Sequence, residues 1–341
     1  MLFHNMIDRK LYLEALAIDS TSGQERDMAL WAAERLQTPH CSVELSEVGD
    51  GTLNVLLSWG EPKVLFCTHL DTVPPYIPPT METLPDGDVM VKGRGVCDAK
   101  GQMAAMYAAC LELERQGETD FGLLLLAGEE TGSYGAKAFA KRHCTAHTVV
   151  VGEPTDGKQV STSKGTNQFS LKFTGVSAHS GYPHLGVSAV EKFVDFVNAL
   201  RGETFPDDAL LGKTTWNIGR VSAPAPQNVL SPELTCRVYF RTTFATCEMV
   251  VAVMRRLQAE HGFEMVEHGG DKPTKFHLVP GIDQCTVAFG SDAPQLHNIP
   301  RKMLCGAGSI LVAHSPDERV LMSQLEEMVQ KYVMIYKELS K

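Results

Sequence analysis

The fold is decided by residues 63–74, which read KVLFCTHLDTVP. The apolar run at 63–67 is short and continuous, which is typical of a strand buried on both faces of a parallel sheet. Later runs at 122–127 and 148–151 have the same character, and the Ala-, Met- and Leu-rich segment 99–116 indicates a helix between the first two runs. Strand, helix and strand in this order predict an α/β domain with a mostly parallel sheet and helices on both faces.

From about residue 165 the pattern changes to alternating polar and apolar residues, which is typical of half-exposed antiparallel strands. The predicted elements are strand 168–174, helix 187–201, strands 214–221 and 234–242, helix 247–261 and strand 263–268. This β-α-β-β-α-β order is the ferredoxin-like arrangement.

The two ends of the chain complete the first domain. Periodicity predicts helices at 6–16 and 24–36 before the buried strands, and a closing helix at 317–339. We therefore predict a catalytic domain of residues 1–163 and 276–341. The α+β domain of residues 164–275 is inserted into it.

Composition excludes several classes of protein. The 341 residues carry a net charge of -10 and no basic run, which disfavours nucleic-acid binding. No stretch is apolar enough to span a bilayer, and the first twenty residues lack the pattern of a secretory signal. The nine cysteines form no CxxC pair, which disfavours disulfides and a cysteine zinc site. The acidic balance fits a cytoplasmic enzyme, as it fits many other proteins.

Candidate metal ligands follow the buried strands. His69 and Asp71 are two residues apart, so on an extended backbone they point the same way, and a carboxylate can hold the second N–H of an imidazole. The alternative is a turn with a capping aspartate. Asp98 immediately precedes the helix at 99–116, where it either caps the helix or bridges two metal ions. The nearby GRG at 93–95 lacks the third glycine of a dinucleotide fingerprint.

Adjacent carboxylates at Glu129 and Glu130 follow the second buried strand and need a positive charge to compensate them. Glu153 follows the third strand, and His314 precedes the last helix. The combined set is His69, Asp98, Glu130, Glu153 and His314. Two imidazoles and three carboxylates suit two zinc ions.

At this point the sequence resembles a known family. The motifs HLDTVP, GRGVCDAKG, GEETG, GEPT, GVSAHSG and AHSPDE occur in the order found in M20 zinc-dependent amidohydrolases and peptidases. The resemblance covers essentially the whole chain. Within the family, the chain looks most like acetylornithine deacetylase and succinyl-diaminopimelate desuccinylase.

The resemblance assigns roles to these residues. It implies one zinc on His69 and Glu153, a second on Glu130 and His314, and Asp98 bridging them, with cobalt as an acceptable substitute. It also implies that Asp71 orients His69, that Glu129 is the base that activates water, and that the Asp98–Ala99 peptide is cis. The inserted domain is implied to act as a lid and to form a homodimer.

Substrate contacts are implied in the same way. His179, in SAHSG, matches a donor that a partner subunit supplies to the oxyanion, although it also suits a surface loop. Arg241 matches an anchor for the substrate α-carboxylate, although Tyr239 stands where the family often has an aspartate. Asn228 matches a lid residue, and Ser291 and Gly308 are candidates for the pocket lining.

The predicted activity is hydrolysis of the amide bond of a small N-acyl amino acid, as in arginine biosynthesis. The alternative within the family is a di- or tripeptidase or a carboxypeptidase with the same metal site. A non-catalytic binding protein would lack Glu129 or a ligand, and a dinucleotide oxidoreductase would need a Gly-rich turn where HLDTVP stands.

Overall fold

The computed structural model of the protein describes residues 6–49 and 51–341. The helices are α1 Arg9–Ala17, α2 Arg26–Arg35, α3 Lys100–Arg115, α4 Tyr134–Phe139, α5 Ala189–Gly202, α6 Cys247–His261 and α7 Met322–Leu339. The strands are β1 Ser42–Gly49, β2 Thr52–Trp59, β3 Val64–His69, β4 Thr80–Thr83, β5 Val89–Lys92, β6 Phe121–Leu126, β7 Thr148–Val151, β8 Gln159–Ser163, β9 Gly165–Thr174, β10 Thr215–Ser222, β11 Glu233–Thr242, β12 Glu264–Gly269, β13 Thr274–Lys275, β14 Gln284–Val287, β15 Arg301–Leu304 and β16 Arg319–Leu321.

The chain divides into two compact units. The first contains the residues up to Ser161 together with Phe276–Cys285 and Ser291–Lys341, and the second contains Thr162–Lys275 and Thr286–Gly290. The sequence placed all residues after 275 in the first unit. Residues 286–290 lie in the second because the backbone N–H of Lys164 donates to the carbonyl of Val287 at 3.0 Å.

The first unit is built on a six-stranded mixed sheet in the order β1-β2-β6-β3-β7-β15. Strands β6, β3, β7 and β15 are parallel to one another, and the sequence predicted this for β3, β6 and β7. The antiparallel hairpin β1-β2 was not predicted, and it joins the sheet through β6. Helices α3 and α7 pack against each other over this sheet, with Met103, Leu325 and Tyr332 fully buried.

The last helix begins later than the sequence predicted. Residues 319–321 form β16, which pairs antiparallel with β5, and α7 begins only at Met322. Residues 316–317 form a turn, and the helix does not begin before Met322. Glu318 lies beside the loop that leads into α3, where Gly93 N–H donates to the carbonyl of Glu318 at 3.1 Å.

The second unit contains a four-stranded antiparallel sheet in the order β10-β11-β9-β12. With α5 and α6 in the connections, this is the ferredoxin-like order that the sequence predicted. The alternate residues Phe169, Leu171 and Phe173 of β9 face a core shared with Phe196 and Phe263. In the described part of the chain, no helix combines the length and apolarity needed to cross a bilayer.

Candidate metal centre

The candidate ligands converge because three parallel strands end at one edge of the sheet. His69 is the last residue of β3, Glu129 and Glu130 follow the end of β6, and Glu153 follows the end of β7. Gly128 makes the turn after β6 at φ +67°, and a Cβ there would lie 1.7 Å from the ring of Tyr134. A glycine is therefore required directly before the adjacent glutamates.

Asp98 lies at the centre of two groups of potential ligands. In the first group the ligand atoms of His69, Asp98 and Glu153 lie within 4.8 Å of one another. In the second, those of Asp98, Glu130 and His314 meet the same limit. The two carboxylate oxygens of Asp98 face different imidazoles, with His69 Nε2 3.0 Å from Oδ1 and His314 Nε2 3.2 Å from Oδ2. This is the arrangement expected of a carboxylate that bridges two cations.

Asp98 does not cap helix α3, which was the alternative role that the sequence left open. Helix α3 begins at Lys100 with Ala99 at the N-cap position, and no side chain caps it. The Asp98–Ala99 peptide bond is cis, as the resemblance implied. The carboxylate of Asp98 is therefore directed at the imidazoles and leaves the helix end uncapped.

Charge at this edge of the sheet indicates that a cation belongs there. Burial, followed by repulsion from Asp98, raises the pKa of Glu153 well above its ordinary value. Hydrogen bonds that His314 donates to the carboxylates of Asp98 and Glu130 raise the pKa of His314 to about 10. For His69, burial lowers the pKa, but the carboxylates of Asp71 and Asp98 outweigh it and the pKa is raised. Oxygen and imidazole donors with this excess of negative charge fit divalent zinc.

Asp71 holds the site through both its main chain and its side chain. His69 Nδ1 lies 2.8 Å from the carbonyl oxygen of Asp71 and 3.5 Å from its Oδ1. The carboxylate accepts hydrogen bonds from the backbone N–H groups of Glu129 at 3.0 Å and Glu130 at 3.2 Å, and from Ser22 Oγ at 2.8 Å. The imidazole is thus oriented with Nε2 towards Asp98, and the two glutamates are fixed by the same residue.

Glu129 lies beside the two ligand groups, and the pKa of its carboxyl is shifted. Its ligand atom lies within 4.8 Å of those of His69 and Glu130. Burial raises its pKa well above the ordinary value, His69 opposes that shift, and Asp292 and Glu130 add to it. A carboxyl with a raised pKa next to a candidate metal centre is suited to accept and return a proton near neutral pH.

Two predicted pocket residues lie in the first unit. Ser291 is buried, and its Oγ accepts from the backbone N–H of Ala293 at 3.3 Å. Gly308 has φ +75°, and a Cβ there would lie 2.6 Å from Cβ of Cys97, the residue before Asp98. Gly308 therefore allows its loop to pack against the Asp98 segment.

The other predicted substrate residues lie in the second unit. His179 is exposed, its Nδ1 accepts from Gly181 N–H at 3.1 Å, and it forms a β-bridge with the residue after Asn228. Asn228 is also exposed. The guanidinium of Arg241 lies over the ring of Tyr239, 4.9 Å from its centroid. Tyr239 stands where the family often has an aspartate, so an aromatic ring contacts the arginine in place of a carboxylate.

Sequence reasoning missed several buried charged residues around Asp98. Arg94 and Glu318 form an ion pair at 2.7 Å with exposed fractions of 3% and 1%. The side chain of Lys100 donates to the carbonyl oxygens of Ala15 and Ile18 at the end of α1. Burial lowers the pKa of Lys100 to about 7. These charged residues stand inside GRGVCDAKG and AHSPDE, so their position within the motifs was the available signal.

A cavity of about 800 Å³ opens at the opposite edge of the sheet. It is lined by residues before the strands, including Lys63, Asp120 and His147. Lys63 and Asp120 form an ion pair at 2.9 Å, and none of the predicted site residues lines the cavity. The convergent chemistry is at the other edge.

Sequence comparisons identify the family of the chain and several relatives. A sequence profile of peptidase family M20/M25/M40 matches residues 65–338. A probable carboxypeptidase of Aspergillus clavatus is 34% identical, over 96% of this chain and 88% of that protein. A peptidase M20 domain-containing protein of Schizosaccharomyces pombe is 32% identical, over 94% of this chain and 82% of that protein.

Solved structures with the same fold cover almost the whole chain. A tripeptidase from Staphylococcus aureus superposes with a TM-score of 0.84 and 21% identity, over 98% of this chain and all of that one (100%). An M20 family metallo-carboxypeptidase from Sulfolobus solfataricus gives a TM-score of 0.78 and 16% identity, over 98% and 99%. The predicted α/β fold is confirmed by these structures.

Proposed function

The chain belongs to peptidase family M20/M25/M40 and is a hydrolase that acts on amide bonds, and from this premise we propose that it is a metal-dependent exopeptidase that cleaves short peptides. The family assignment made from six motifs is confirmed. Particular closeness to acetylornithine deacetylase and succinyl-diaminopimelate desuccinylase is not supported. Several relatives are named as probable carboxypeptidases and most of the similar structures as peptidases, so the comparisons favour the alternative in the sequence analysis over N-acyl amino acid hydrolysis.

One observation carries the proposal. Asp98 is shared between two groups of ligands, and the raised-pKa carboxyl of Glu129 lies beside them. Bound zinc ions, one held by His69, Asp98 and Glu153 and one by Asp98, Glu130 and His314, would polarise the scissile carbonyl and lower the pKa of the attacking water.

The protein's own groups would carry the proton. Glu129 accepts a proton from the attacking water and returns it to the leaving amine, because its raised pKa lets it hold the proton in between. His69 is kept in one orientation by the main chain of Asp71. From the family resemblance, His179 of a partner subunit donates to the oxyanion, and Arg241 binds the free carboxylate of the peptide.

Several features remain part of the proposal. They are the number and identity of the metal ions, the homodimer formed through the second unit, the lid role of that unit and the contacts of Asn228, Ser291 and Gly308 with substrate. The cytoplasmic location expected from the sequence also stays a prediction.

A substrate panel tests the proposed activity. Zinc-loaded protein is incubated with dipeptides, tripeptides, the same peptides amidated at the carboxyl end, and N-acetyl amino acids including acetylornithine. We expect release of free amino acids from the peptides with a free carboxylate. Cleavage confined to the N-acetyl amino acids would refute the exopeptidase and favour the deacylase.

A further inference from the structure

The segment that presents Asp98 is held at successive backbone groups. Tyr12 Oη donates to the carbonyl of Val96 at 2.6 Å, and Gln102 Nε2 donates to the carbonyl of Cys97 at 2.8 Å. The N–H groups of Cys97 and Asp98 both donate to Glu318 Oε1, each at 3.2 Å. Since one oxygen accepts from two consecutive N–H groups, it fixes the orientation of the peptide that leads into Asp98.

The other oxygen of Glu318 connects this segment to the second histidine. Arg94 Nη1 donates to Glu318 Oε2 at 2.7 Å and to the carbonyl of Ser315 at 3.3 Å. Ser315 is the residue after His314, whose Nε2 faces Asp98. The ion pair therefore contacts the backbone on both sides of the Asp98–His314 contact.

The Arg94–Glu318 ion pair carries no net charge, so it does not compensate the excess of carboxylates at the candidate metal centre. The candidate centre already contains more carboxylates than imidazoles, so an unpaired Glu318 would add to the repulsion. Arg94 neutralises it at 2.7 Å, and both side chains are almost fully buried. A buried ion pair contributes little net stability compared with apolar residues of the same volume. What this pair supplies is directional hydrogen bonding to two ligand-bearing segments.

We propose that Arg94 and Glu318 are positioning residues that set the orientation of Asp98 and its distance from His314, and thereby the affinity of the protein for its metal ions. This inference rests on the proposed metal-dependent function. Residues that orient metal ligands typically change metal affinity by about 10- to 100-fold when they are replaced.

The chain offers a matched control. Glu326 is also buried, and its two oxygens accept from the N–H groups of Met6 at 3.0 Å and Ile7 at 3.2 Å. Glu326 belongs to none of the ligand groups. Glu318→Gln and Glu326→Gln therefore each remove one buried carboxylate that accepts from two backbone N–H groups, near Asp98 and away from it. The double variant Arg94→Met/Glu318→Leu removes the pair without leaving an unpaired buried charge.

The experiment measures zinc and cobalt affinity by competition with a chelator, together with the visible absorption of bound cobalt and the Tm of the metal-free proteins. We expect about 10-fold or weaker affinity and a shifted cobalt spectrum for Glu318→Gln and for the double variant. Glu326→Gln should lower only the Tm.

The outcomes separate the inference from the function on which it rests. Wild-type affinity and spectrum in the double variant would overturn the inference alone. An equal loss of affinity in Glu326→Gln would overturn it as well, because the effect would then follow general stability. A double variant that does not fold would assign the pair to folding, again against the inference. Wild-type protein that binds no metal would overturn the proposed function itself.

Discussion

Replacing Glu129 by glutamine tests the catalytic assignment most directly. The change is isosteric, and the backbone N–H of residue 129 still donates to Asp71. The two ligand groups that share Asp98 remain complete without Glu129. Metal content should therefore stay at the wild-type level while the base that accepts a proton from water is lost.

The expected loss follows from the role of a general base. Removing such a group lowers turnover by about three orders of magnitude, which corresponds to about 4 kcal/mol of transition-state stabilisation. Stability should not fall. Burial raises the pKa of Glu129 in the metal-free protein, so its ionised form opposes folding once the pH exceeds the unfolded pKa. Glutamine cannot ionise and avoids that cost.

The assay measures kcat on a dipeptide with metal-saturated enzyme, metal content by elemental analysis and the Tm after metal removal. Glu61→Gln provides the exposed control. Turnover within about tenfold of the wild type, with both metals bound, would refute the base assignment. Loss of metal from the variant would make Glu129 a ligand instead.

Three further predictions concern pH, specificity and packing. The pKa of His314 is raised to about 10 without metal, so the protonated imidazole stabilises the metal-free protein fully below about pH 6.5, and this stabilisation is lost as the pH rises through 10. Zinc binding must expel this proton, so the affinity for zinc should increase with pH. Calorimetry in buffers of different ionisation enthalpy should show the proton release. Arg241→Lys should raise KM about 10-fold for peptides with a free carboxylate and leave amidated peptides unaffected, since lysine lacks the planar fork; equal effects on both would exclude the carboxylate contact. Gly308→Ala would place a Cβ 2.6 Å from Cys97 at a positive φ, so the Tm and the metal affinity should both fall, and an unchanged Tm would contradict the packing.

The parts of the fold that the sequence predicted are those with local patterns. The runs at β3, β6 and β7 are apolar and short, and polar residues follow each of them, so the edge where the ligands meet was predictable. The hairpin β1-β2 was missed, although β1 alternates in exposure, because nothing in its own residues says which sheet it joins. The start of α7 was predicted too early because pairing with β5 overrides the local preference.

The supporting contacts of the site depend on the tertiary fold. Arg94 and Glu318 are 224 residues apart, and the motifs that contain them give no sign that they pair. The closest contact between His69 and Asp71 uses a main-chain carbonyl, which every residue type has, so the sequence could only indicate the carboxylate. The stacking of Arg241 on Tyr239 explains a departure from the family pattern that the sequence left open.

The order of the ligands along the chain has a consequence for biosynthesis. His69, Asp98, Glu130 and Glu153 precede the second unit, whereas His314 follows it. A growing polypeptide that has left the ribosome only through residue 290 contains four of the five candidate ligands but lacks His314, which belongs to the second group. Under the proposed metal assignment, a polypeptide synthesised only through the second unit therefore has no complete second ligand group, and catalysis waits for the segment that carries His314.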